Sequence, residues 1–116
     1  MYGGLTRKCE LGIDALAGAG KGVIARGCMK EYWPNYGELY DKAGLSGLQE
    51  DGETKNDFLL RFTFSHPNVT TTIVGTKNLN HLLSNIKATQ RGPLAPDTYE
   101  QAKQMLNAVG QRSLIF

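Results

Sequence analysis

Residues 70–86, with the sequence TTTIVGTKNLNHLLSNI, constrain the fold more than any other segment of the chain. The β-branched run that ends at Val74 is typical of a strand, and the apolar spacing after Lys77 predicts an amphipathic helix. Gly75 between them permits a tight turn and lets a ligand approach the backbone closely. The N-terminus of a helix after such a turn offers N–H groups and partial positive charge to a phosphate. The segment therefore predicts an α/β protein with a candidate phosphate site at this junction.

Composition narrows the class of protein. At 116 residues, the chain has the size of a single domain, residues 1–116. It has 13 Lys and Arg residues against 11 Asp and Glu, without a basic run, so we expect no nucleic-acid partner. Cys9 and Cys28 lack metal-site spacing, which predicts reduced thiols and no metal. No signal-peptide pattern or membrane-length apolar stretch is visible, so we expect a soluble, cytoplasmic protein without a membrane partner.

Helical segments alternate with two short apolar runs. The pattern predicts helices over 7–20, around 39–43, 56–67, from 79 onward and over 97–110, with strands over 22–25 and 69–74. We expect the first strand to be buried on both faces, as in parallel sheets. Two strands alone leave open edges and uncovered apolar surface, which indicates part of a larger assembly.

Local patterns also predict helix starts and buried faces. Asn56 or Asp57 is a candidate cap for the third helix, and Asp97 with Glu100 has capping-box spacing for the last. The expected buried side chains are Cys9, Ile13, Leu16 and Ala17 in the first helix, Leu79, Leu82, Leu83 and Ile86 in the fourth, and Tyr99, Ala102, Leu106 and Val109 in the last. We expect His81 and Asn85 to lie away from the Leu79 to Ile86 face, where they can meet a ligand.

Residues 59–106 resemble the C-terminal end of bacterial aldo/keto reductases, most specifically in VGTKN followed by the HLxxN helix. The resemblance continues upstream in GKGVIARG, residues 20–27, and in LTRKCE, residues 5–10. That family folds as a (β/α)8 barrel and uses a nicotinamide cofactor. The resemblance implies a helix-rich, partial (β/α)8 (TIM) barrel, with strands seven and eight and their flanking helices.

The resemblance also implies part of an NADP(H) site. By position, Gly75, Thr76 and Lys77 would meet the adenosine ribose and its 2′-phosphate. Asn85 would contact adenine, and His81 stands where many relatives carry an Arg. The remaining position is Arg26, which would reach the pyrophosphate. Because Gly75 and His81 replace charged residues that are common in relatives, the choice between NADP and NAD stays open.

The family's proton-transferring Asp, Tyr, Lys and His have no counterparts in this sequence, so we expect no catalytic residue and no reductase activity from the chain alone. The alternative is a non-enzymatic half-barrel that self-associates as a homo-oligomer or pairs with a complementary N-terminal polypeptide. Simpler interpretations stay open as well. Gly75 can be only a turn residue, and His66 is more typical of a helix-end dipole partner than of a base.

Overall fold

Five α-helices and one short parallel sheet make up residues 10–26 and 36–110, the part of the chain that the computed structural model describes. In chain order the elements are α1 (Glu10–Gly18), β1 (Ile24–Arg26), α2 (Tyr36–Ala43), a 3-10 helix (Leu45–Leu48), α3 (Lys55–Phe64), β2 (Thr71–Ile73), α4 (Leu79–Arg91) and α5 (Pro96–Ala108). The structure is thus α/β and helix-rich, as predicted. The predictions for Cys9, Cys28 and residues 5–9 lie outside the described residues. No described helix has the length and apolar character needed to cross a membrane.

The two strands pair in parallel, with Ile24 opposite Thr71 and Arg26 opposite Ile73. Their start is fixed by the Thr70 hydroxyl, which accepts a hydrogen bond of 2.9 Å from the N–H of Val23. Within residues 10–26 and 36–110, one face of this sheet is covered. Ala25 is buried, whereas Ile24 is 65% exposed and Ile73 is 58% exposed. The prediction of a strand buried on both faces is wrong, because the described helices cover a single face.

Helix α1 covers part of that buried face. Ile13 packs with Val23 and Ala25, and it is the member of the predicted α1 face that is buried. Leu16 is 50% exposed, so the prediction for this residue is wrong. The pattern placed both residues on one side of a helix, but the two-stranded sheet is too narrow to cover that whole side.

Helix α3 lies at the centre of the packing. Its N-cap is Thr54, whose hydroxyl accepts from the N–H of Asp57 at 3.1 Å, while the Asp57 carboxylate accepts from the Thr54 N–H. Asp57 therefore belongs to the first turn, and the prediction that Asn56 or Asp57 caps the helix is wrong. The main core contains Tyr40, Ala43, Leu45, Phe58, Leu59, Phe62, Leu94, Tyr99, Ala102 and Leu106.

Helix α5 completes this core through the face that the sequence predicted. Tyr99, Ala102 and Leu106 are buried, and Val109 packs against them. The predicted capping box is wrong, because the helix begins at Pro96 and its N-cap residue makes no side-chain hydrogen bond. Proline suits the first helical position, since its fixed φ is already helical and an N–H is not needed there.

Helix α4 packs in the orientation opposite to the prediction. Its buried residue is Ala88, which packs with Leu60 of α3, and the Ser84 hydroxyl donates a 2.8 Å hydrogen bond to the Asp57 carboxylate. The expected core face is exposed instead, and its side chains are 44–67% accessible. We call this face the α4 stripe: Leu79, Leu82, Leu83 and Ile86. Periodicity located the stripe correctly, but no described element covers it.

A buried ionic network holds the loop before α3 in place. Arg61 is 3% exposed and donates to the Glu53 carboxylate at 2.7 Å and to the backbone carbonyl of Gly92 at 2.8 Å. Arg91 binds the Glu50 carboxylate at 2.9 Å and ties α4 to the same loop. Such a network satisfies charges that would otherwise be costly to bury. Sequence analysis missed it.

Tyr40, a buried residue, contacts the same loop. Tyr40 is fully buried, and its hydroxyl donates to the side-chain carbonyl of Gln49. Burial, reinforced by the negative charges of Glu53 and Asp41, raises the pKa of Tyr40 far above its ordinary value. Tyr40 is therefore neutral in the folded protein throughout the physiological pH range.

Candidate functional site

The carboxyl ends of β1 and β2 meet at one edge of the sheet. Arg26 lies opposite Ile73, and the chain leaves β2 through Val74 and Gly75 toward α4. Because neighbouring strands are about 4.8 Å apart, this register places Arg26 beside the turn that the sequence marked as a ligand loop. Open α/β sheets bind ligands at this kind of edge. The structure thus pairs Arg26 with Ile73, two residues before the turn of residues 75–77.

Asn78 organises the turn that leads into α4. The Thr76 hydroxyl accepts from the Asn78 N–H at 3.1 Å. The Asn78 side-chain oxygen then accepts from the N–H groups of Asn80 at 2.9 Å and His81 at 3.2 Å. Two of the helix donors expected to face a phosphate are therefore already occupied. Sequence analysis did not single out Asn78, although an Asn directly before an apolar helical pattern is a strong N-cap signal.

Gly75 is not required by the local conformation. It does not adopt a positive φ, and an added Cβ would meet no atom within 4 Å. An ordinary side chain would therefore fit at this position in the protein as described. Neither a positive φ nor a neighbouring atom therefore requires glycine at this position.

His81 and Asn85 lie one turn apart on α4, away from the α4 stripe, as predicted. His81 is exposed and Asn85 is half-buried. Both are on the side of the helix adjacent to Ser84 and Ala88, which face α3. Since α3 packs against that side, His81 is the more accessible of the two to a ligand at the first turn of α4.

The charged side chains described at this edge are positive. Arg26 and Lys77 are exposed and form no ion pair with any described residue. The sequence has no Asp or Glu between residues 58 and 96, so no carboxylate from this segment competes for the two cations. Two cations without an ion pair among the described residues, near a capped helix N-terminus, can attract phosphate groups.

His66 is buried and contacts both its own loop and α1. It is 6% exposed, its Nδ1 accepts from the N–H of Asn68 at 3.1 Å, and its Nε2 lies 3.5 Å from the Asp14 carboxylate. The histidine therefore connects α1 to the loop between α3 and β2. No group of three or more His, Cys, Asp or Glu side chains within residues 10–26 and 36–110 is placed to hold a metal ion.

Comparisons with protein families, with curated proteins and with solved structures found no match for this chain.

Proposed function

We propose that this chain is the C-terminal part of an aldo/keto reductase-like (β/α)8 barrel that acts in the cytoplasm and holds the adenosine end of NADP(H). The observation that supports the proposal is the parallel pairing of Arg26 with Ile73, just before the turn of residues 75–77, at the carboxyl end of the strand pair. The resemblance of residues 59–106 to that family supplies the chemical identity of the ligand. In this assignment the two strands are the seventh and eighth of the barrel.

Each residue of the site has a separate role in this proposal. Lys77 and the Thr76 hydroxyl bind the 2′-phosphate, and Arg26 binds the pyrophosphate through charge-assisted hydrogen bonds. Gly75 leaves room for the ribose beside the backbone. The Asn78 cap fixes the direction of the turn, so the site is preorganised before the ligand arrives.

In this proposal, residues of α4 contact the adenine end of the cofactor. Asn85 can donate to and accept from the adenine edge, and His81 lies one turn earlier on the same side. NADP(H) supplies hydride-transfer chemistry when bound, but this sequence offers no residue that resembles the family's proton donor. The chain by itself therefore binds without reducing a carbonyl, and aldehyde-dependent oxidation of NADPH by the purified chain would contradict this.

Competition between adenosine nucleotides tests the proposal. If only the adenosine end is held, 2′,5′-ADP should bind within about threefold of NADPH, because the nicotinamide half gains no contacts. Lys77→Gln should weaken 2′,5′-ADP about tenfold and leave 5′-AMP unchanged, in line with one charge-assisted contact of about 1.5–3 kcal/mol attenuated by solvent. The matched control is Lys21→Gln, which removes an exposed Lys at the opposite end of the sheet.

The Gly75→Ala variant distinguishes an effect on nucleotide affinity from an effect on the free energy of unfolding. Since an added Cβ meets nothing in the protein, the variant should keep the wild-type free energy of unfolding while losing nucleotide affinity. Calorimetric titration and urea unfolding measure the two quantities. Equal affinity of Gly75→Ala and wild type, or equal affinity for 5′-AMP and 2′,5′-ADP, would count against the site.

A second function is association with another polypeptide, and the exposed apolar surface favours it. Ile24 and Ile73 on the open sheet face are more than half exposed, and the α4 stripe is exposed along two helical turns. Contiguous apolar surface of this kind typically marks an interaction site. Such a half-barrel interacts either with further copies of itself or with a complementary N-terminal polypeptide. Sedimentation over a wide concentration range tests self-association, and Leu82→Gln should weaken it.

A further inference from the structure

The α4 stripe has the geometry of one half of a helix pair. Leu79, Leu82, Leu83 and Ile86 have the i, i+3, i+4, i+7 spacing that forms a continuous ridge. All four are 44–67% exposed, although α4 is anchored firmly from behind by Ala88 and Ser84. Amphipathic helices with this spacing bind helical partners through such ridges.

The rim of the stripe is cationic. Between residues 58 and 96 the sequence contains no Asp or Glu. Of the Lys and Arg side chains in that segment, Arg61 and Arg91 are neutralised by ion pairs with carboxylates of the preceding loop. Lys77 and Lys87 form no ion pair with any described residue, and they lie just before and just after the stripe. An approaching partner therefore meets an apolar ridge with a positive charge at each end.

This charge arrangement opposes a second copy of the chain. An antiparallel α4 pair centred between Leu82 and Leu83 would place Leu79 of one copy opposite Ile86 of the other. In the same register, Lys87 of each copy would lie level with residue 78 of the other, next to Lys77. Like charges at such short distance repel each other within the screening length of physiological salt.

We propose that the α4 stripe binds an amphipathic helix of a different polypeptide, whose apolar face is flanked by Asp or Glu side chains. This inference rests on the association function proposed above and specifies the chemistry of the partner. Apolar contacts with the stripe would supply most of the affinity, and the acidic flanks would pair with Lys77 and Lys87 and select against a second copy.

A charge-reversed copy of the same chain serves as the probe. The variant Lys77→Glu/Lys87→Glu carries the identical apolar stripe with acidic flanks. By sedimentation equilibrium, wild type alone and the variant alone should associate weakly, since each pair brings like charges together. A mixture should form a heterodimer about tenfold tighter than either homodimer, which corresponds to two exposed ion pairs replacing two repulsions. Raising the salt concentration should reduce this difference.

Matched variants locate the contact. Leu83→Gln in both chains should abolish the heterodimer, whereas Leu16→Gln, at a similarly exposed Leu on α1, should leave it unchanged. If the homodimers and the heterodimer have equal affinity, the inference of acidic flanks on the partner is wrong, but the proposed association function is retained. The absence of any association in all mixtures would overturn both. Binding of wild type to phosphatidylglycerol vesicles, lost in the charge-reversed variant while mixtures stay monomeric, would assign the stripe to a lipid surface and also overturn the inference.

Discussion

Replacing Arg61 by Met tests the buried ionic network quantitatively. The substitution keeps an unbranched apolar stem but removes the donors to the Glu53 carboxylate and to the backbone carbonyls of Gly92 and Pro93. The Glu53 side chain is fully buried, and its carboxylate would keep the hydrogen bond that it accepts from the N–H of Glu50 at 2.9 Å. Loss of one partner of a buried ion pair costs about 3–5 kcal/mol. The orphaned carbonyls place this case near the middle of that range, at about 4 kcal/mol.

Urea unfolding followed by far-ultraviolet circular dichroism at pH 7 measures this cost. A domain of this size has about 5–15 kcal/mol of total stability, so a loss of about 4 kcal/mol in Arg61→Met should shift the urea midpoint to a clearly lower concentration. Lys55→Gln is the control. It removes an ion pair in which the Lys55 side chain is 41% exposed and the Asp41 side chain is 68% exposed, so it should lower the free energy of unfolding by less than about 1 kcal/mol. The double variant Glu53→Gln/Arg61→Met should lose less free energy of unfolding than the two single variants together, by about 1–3 kcal/mol. A cost for Arg61→Met no larger than that of Lys55→Gln would refute the reasoning.

Three further predictions concern stability. The raised pKa of Tyr40 means that its neutral form stabilises the fold fully below about pH 10, and that this contribution is lost as the pH rises above that value. Tyr40→Phe should therefore flatten the alkaline fall in the free energy of unfolding, and an unchanged profile would contradict the assignment. Thr54→Ala should cost about 1 kcal/mol in urea unfolding, since it removes the cap of α3. Leu106→Ala should cost about 2–5 kcal/mol and Leu82→Ala less than about 0.5, and equal costs would refute the observed orientation of α4.

Sequence periodicity predicted the order of helices and strands and the buried face of α5. Tyr99, Ala102 and Leu106 recur at helical spacing, and the core they meet is formed by elements present in this chain. The same reasoning failed for the α4 stripe. Periodicity shows that a helix has an apolar side, but the presence of a neighbour to cover that side depends on tertiary structure.

Part of the candidate site was also predictable. The parallel pairing sets Arg26 opposite Ile73, near the end of β2, because carboxyl ends of parallel strands share an edge. The role of Asn78 could have been found from local capping rules. The pair of Arg61 and Glu53 could not, because Arg61 interrupts an apolar helix and its partner lies in a loop whose path no local pattern specifies.

Amide chemical-shift mapping with 2′,5′-ADP tests the central claim most directly. The proposed adenosine site predicts saturable shifts that centre on residues 75–81 and include Arg26 and Asn85, with little change at the amino end of the sheet around Lys21. Weaker shifts of the same amides are expected with 5′-AMP, because the contact between Lys77 and the 2′-phosphate is missing. The absence of saturable shifts, or shifts centred elsewhere in the chain, would contradict the account.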